Sequence, residues 1–143
     1  MLIHVTHRRN QASIEDTGIL PPKLAASVAQ AAGFGSLNSN IDVVQLLWMA
    51  DDDPESAQQV VRWIEGSIEE NSASLDDLVV FICSDDVNQS AGFAGPSEVR
   101  KKAGSRQPPL LYAHNETWCG TVPPGMLKEC MSWKAFRQKF AAN

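Results

Sequence analysis

The chain has 143 residues, 43% of them hydrophobic, which suits one domain around one core and argues against global disorder. A formal net charge of -5 argues against loose, charge-driven coating of nucleic acid or membrane, and no apolar run approaches the roughly 18 residues that span a bilayer. Three widely spaced cysteines, an odd number, and the lack of a signal-peptide pattern at the start predict a reducing, cytoplasmic setting.

Leu2-Ile3-His4-Val5-Thr6-His7 alternates apolar and polar residues, the period of a half-buried strand. Ile3 and Val5 are expected to enter the core, with His4 and Thr6 looking together into a cleft. Ser13 and Asp16 have the spacing of a capping box and predict one or two helical turns. Gly18 supplies a left-handed exit, and Pro21-Pro22 stop the helix from resuming. Between strand and helix, His7-Arg8-Arg9-Asn10 reads as a polar turn, with Arg8 and Arg9 either solvated or facing a phosphate.

Pro22 to Gly33 is Ala-rich and reads as a helix, and Gly33 to Asn40 as a loop. Ile41 to Met49 is almost continuously apolar, as for a strand covered on both faces. Asp53 is a good N-cap and Pro54 a good first residue for a helix whose stripe is Ala57, Val60, Val61, Ile64 and Ile68. Asp51, Asp52 and Asp53 could bind a divalent ion, but acidic residues at a helix start are stabilising in their own right, and no metal is expected there. Glu69 to Asp77 is polar and should break the helix. Leu78 to Cys83 is the strongest strand pattern in the chain and predicts a central position, with Cys83 as a packing residue.

Ser84 to Pro109 is rich in Gly and Pro and carries the one local basic cluster, Arg100, Lys101, Lys102 and Arg106. It reads either as a solvated loop or as a contact for phosphate or nucleic acid. Leu110 to His114 suggests a strand, and Met126 to Met131 either a strand or a turn of helix. Ser132 should cap a final helix whose stripe is Trp133, Phe136 and Phe140, docking on the core. His114, Cys119 and Cys130 could supply metal ligands but match no zinc spacing, and Cys119 with one of the three histidines could form a nucleophile pair if the fold brings them into contact.

The opening "hydrophobic-His-x-Thr" strand, His4-Val5-Thr6, with the capped turn ending Gly18-Ile19-Leu20, resembles the start of the ADP-ribosyltransferase-like fold. DarT-type nucleic-acid-modifying enzymes and tRNA 2′-phosphotransferases belong to that group. Further similar segments follow in order: Leu47 to Ala57, the strand Leu78 to Cys83, then Glu116, then Val122-Pro123-Pro124-Gly125-Met126-Leu127. The resemblance implies one α+β domain over residues 1–143, with a central mixed or antiparallel sheet flanked by helices. It implies NAD as substrate and ADP-ribosyl transfer to a macromolecular acceptor, nucleic acid among them, or NAD glycohydrolysis. His4 would contact the adenosine ribose, the backbone around Val5 the nicotinamide amide, and Thr6 the strand geometry or the cofactor. Glu116 would be the catalytic carboxylate, stabilising the oxocarbenium-like charge as nicotinamide leaves. The loop with Arg100, Lys101, Lys102 and Arg106 would meet the acceptor.

Val5 replaces the family's usual Gly, and no Ser-Thr-Ser or Tyr-x-x-x-Tyr equivalent is present. The alternative is therefore a non-catalytic module of this or another α+β fold, recognising a nucleotide-containing ligand or a protein partner.

Overall fold

The computed structural model describes residues 1–20, 44–49, 53–70, 74–84, 87, 116–119, 121 to 141. The predicted helix over 22–33, the loop to 40, the basic cluster at 100–106 and the strand over 110–114 lie outside the described residues.

Among the described residues five strands form one sheet: β1 (Leu2–His7), β2 (Val44–Trp48), β3 (Leu78–Cys83), β4 (Glu116–Cys119) and β5 (Leu127–Ser132), in the order β4-β2-β1-β3-β5. Every ladder is antiparallel. Helices α1 (Gln11–Thr17), α2 (Pro54–Glu70) and α3 (Trp133–Phe140) flank it, giving a small α+β architecture. Among the described residues no helix is long and apolar enough to cross a membrane.

Strand alternation sorts the core into two layers. Ile3, Val5, Leu47, Val80 and Ile82 pack with α2 through Val60, Val61 and Ile64, and with α3 through Trp133 and Phe136. On the opposite face Leu2, Leu46, Val79, Phe81 and Cys83 pack with Ile14 of α1 and with Ile19 and Val122. All six residues of β3 are buried, as its uniform apolarity predicted, and it is an interior strand between β1 and β5. The centre of the sheet is β1.

Local chemistry sets the ends of the elements. The Asp53 carboxylate accepts from the Glu55 amide at 3.0 Å, so α2 starts where the Asp-Pro pair predicted. It runs on to Glu70, past the polar residue expected to end it. The Ser132 hydroxyl accepts from the Ala135 amide at 3.2 Å and caps α3, where Trp133 stacks on Phe136 at 5.6 Å and Phe136 meets Phe140 in a tilted pair at 5.1 Å.

The start of α1 differs from the Ser13 cap. His7 Nδ1 accepts from the Arg9 amide at 3.0 Å and caps a 3-10 turn over Arg8–Asn10, which runs directly into α1. Ser13 therefore lies inside the helix, where its carbonyl accepts from Thr17 Oγ1 at 2.8 Å. The helix leaves through Gly18 at φ 83°. A Cβ there would stand 2.1 Å from the Val122 carbonyl oxygen, so glycine is required both by backbone angle and by space. That close approach lets Ile19 and Val122 exchange two backbone hydrogen bonds of 2.9 Å, closing the chain over the second face of the sheet.

Candidate functional site

The residues of the opening strand have unlike fates. Val5 is 9% exposed and belongs to the α2/α3 layer. His4 stands opposite Phe81 and Thr6 opposite Val79, so both share the α1 face. At Thr6 that face is covered rather than open. Thr6 is 1% exposed, and its hydroxyl accepts a 2.9 Å hydrogen bond from the buried Asn10 carboxamide. The expected cleft beside Thr6 is thus filled, because α1 and the Ile19–Val122 bridge cover the second face. Thr6 ties the end of β1 to the turn before α1. His4 is half-buried.

Glu116 opens β4, which pairs with β2. In register it stands opposite Leu47, and Leu47 stands opposite Ile3. Ile3, Leu47 and Glu116 thus form one row across three strands. His4 occupies the next row along β1. The backbones of β1 and β4 are separated by β2, roughly 10 Å at the usual strand spacing. His4 and Glu116 therefore stand on strands that are not adjacent and in different rows.

The most distinctive feature of this region is how β1 meets β2. Their ladder holds only Leu2↔Trp48 and Ile3↔Leu47, although β1 continues to His7 and β2 reaches back to Val44. Two reciprocal bonds between Met1 and Met49, at 2.9 and 3.0 Å, extend the contact at the other end. These bonds also fix the alternation: the N–H and C=O of Met1, Ile3 and Val5 turn toward β2, those of His4 and Thr6 toward β3. Beyond Ile3 the strands have no shared ladder. Val5 therefore presents a backbone donor and acceptor toward the side where the β1–β2 ladder has ended.

At the far end of β1 is a polar group in the turn whose arginines were expected to be either solvated or facing a phosphate. Arg8 lies 3.4 Å from the Asp77 carboxylate and donates to the Asp76 carbonyl, and His7 Nε2 lies 3.8 Å from Asp77. The aspartates belong to a 3-10 turn, Leu75–Asp77, capped by Ser74. Ser74-Leu75-Asp76 was a local cap signal inside a segment read only as a helix break. Arg8 thus braces the end of the sheet, while Arg9 is exposed.

Of the cysteines, Cys83 is buried in the α1-face core. Cys130 is half-buried on β5, and burial, helped by the Glu15 carboxylate, pushes its thiol up to about 11. A thiol so raised is protonated at neutral pH and is a poor nucleophile. No protein-family model, curated protein or solved structure matches this chain.

Proposed function

We propose that this chain is an ADP-ribosyltransferase-like domain that binds NAD where β1 and β2 part and transfers ADP-ribose to a macromolecular acceptor, or to water. The observation that carries the reading is the two-pair β1–β2 ladder, which ends just before the His4-Val5-Thr6 segment. A primary amide such as that of nicotinamide needs one acceptor and one donor side by side. Val5 offers a C=O and an N–H on the same side of a strand, which suits that group. Glu116 opens β4, which pairs with the same β2 that borders this parting. Its carboxylate would hold the nicotinamide-ribose 2′-hydroxyl and stabilise the positive charge that develops as nicotinamide leaves. His4 would meet the adenosine ribose. The basic residues Arg100, Lys101, Lys102 and Arg106 would meet a phosphorylated or nucleic-acid acceptor. No metal enters this scheme.

One observation favours the non-catalytic reading. Glu116 shares its row with Leu47 and Ile3, both buried in the α2/α3 layer, whereas His4 belongs to the α1 face. A module that binds a nucleotide-containing ligand at β1 without turnover needs no carboxylate there.

Nicotinamide release from NAD by the purified protein, alone and with DNA, RNA or cell lysate, separates the two. Release lost in Glu116→Gln, by a factor of about 10² or more, is the expected result for the enzyme. A rise in melting temperature with NAD but no release under any condition selects the binding module. Neither release nor a thermal shift overturns the NAD reading.

A further inference from the structure

The solvent side of the helical layer holds a second candidate site, independent of NAD. An open groove of about 470 Å³ runs between α2 and α3, lined by Gln58, Val61, Arg62 and Glu65 from one helix and Arg137 and Gln138 from the other. That volume is in the range of small-ligand sites. The groove holds two guanidinium groups and a single carboxylate. Glu65 is already engaged twice, accepting from Arg137 Nη1 at 2.9 Å and from Trp133 Nε1 at 3.3 Å.

These bonds have a positioning consequence. Trp133 is buried in the core, so the Glu65 carboxylate is anchored from below. It fixes one nitrogen of Arg137 and leaves the rest of the planar fork to other acceptors. Arg62 is exposed, and among the described residues it makes no hydrogen bond or ion pair; the same is true of the Gln58 and Gln138 carboxamides. The charged residues of α3 are all cationic: Lys134, Arg137 and Lys139. Lys134 lies one turn before Arg137 and Gln138, on the same side of the helix. Lys139 is paired with Glu129 at 3.6 Å and Arg137 with Glu65 at 2.9 Å, so Arg62 and Lys134 are the cations here that make no hydrogen bond or ion pair among the described residues.

We propose that this groove binds a phosphate group between Arg62 and Arg137. The chemistry favours a tetrahedral oxyanion over a carboxylate. A carboxylate has two oxygens and is satisfied by one guanidinium fork. A phosphate has oxygens enough for two forks and still accepts from the carboxamides of Gln58 and Gln138. The apolar Val61 would sit beside whatever group carries the phosphate. The source is either a small phosphate monoester or the phosphates of a nucleic acid strand.

The test is a titration of isotope-labelled protein, followed by NMR at the Arg62 and Arg137 side-chain N–H groups and the Gln58 and Gln138 amides. Inorganic phosphate is the first probe, with acetate as the control. Two oligonucleotides of one sequence, with and without a 5′-phosphate, are the second. Saturable shifts at the groove with phosphate, weakened about tenfold or more in Arg62→Gln and absent with acetate, are expected. Arg62 has no partner to lose among the described residues, so the variant should melt at the wild-type temperature. Binding of only the 5′-phosphorylated oligonucleotide would identify the source as a monoester, and equal binding of both as backbone phosphates. No shift at these groups, shifts undiminished in Arg62→Gln, or an equal response to acetate would overturn the proposal.

Discussion

Strand β1 is held unequally by its two neighbours. Against β3 it is in register from Leu2↔Cys83 to His7↔Leu78, all six residues. Against β2 only Leu2 and Ile3 are paired. The first contact is what a sheet needs for stability: both faces are buried, and β3 is apolar throughout. The second is what a ligand edge needs: a strand fixed from one side, with backbone groups on the other side outside the ladder. One strand thus has a full ladder along one edge and, among the described residues, a two-pair ladder along the other.

Damage to the firm side should have the largest effect. Phe81 stands opposite His4 and is 1% exposed between β1 and β5. Phe81→Ala should cost about 3–5 kcal/mol, read as a fall in melting temperature of about 10 °C or more. A loss below about 1 kcal/mol would mean that the β1–β3 contact is not the stable half of the molecule. The closure over the α1 face comes next. Gly18→Ala places a Cβ against the Val122 carbonyl and asks an L-residue to hold φ 83°, so a loss of about 1–3 kcal/mol is expected in chemical denaturation. An unchanged midpoint would show that the Ile19–Val122 bridge contributes little to holding α1 on the sheet.

The firm half was the legible half. Period-2 alternation in Leu2–His7, uniform apolarity in Leu78–Cys83 and the 3.6-residue stripes of α2 and α3 are local signals, and the structure places those elements accordingly. The Met126–Met131 segment stayed ambiguous for a physical reason. β5 is at the end of the described sheet, its exposed residues include Lys128, Glu129 and Ser132, and its register shifts between Ile82 and Cys83. An edge strand with an irregular register loses the alternation that marks a strand. The start of α1 differs from the Ser13 cap because the helix continues a 3-10 turn that the histidine at the end of β1 caps, a residue outside the usual N-cap set, and its own N-cap, Asn10, makes no side-chain cap bond. The site was legible only in part. His4, Val5, Thr6 and Glu116 could be singled out by resemblance, but no sequence pattern fixes the register that sets Glu116 beside Leu47 rather than in the row of His4. Nor does helical periodicity show that Arg62 and Arg137 share a groove, since that depends on how two distant helices pack.

The smallest effect is also the most direct measure of the inequality. Amides of β1 point alternately to its two neighbours: those of His4 and Thr6 toward β3, that of Val5 toward β2 beyond the last paired row. An amide in a continuous ladder opens only with its sheet, whereas one outside a ladder exchanges through small local fluctuations. Hydrogen exchange followed residue by residue should therefore show Val5 exchanging about tenfold or more faster than His4 and Thr6, with Ile3, still paired to Leu47, resembling His4. Added NAD then gives the comparison a functional reading. If the Val5 amide serves as a donor to the ligand, its exchange slows on NAD addition while His4 and Thr6 barely change. Equal protection at all four residues in the free protein would mean that β1 is sealed on both sides, and the edge on which the NAD site is built would not exist.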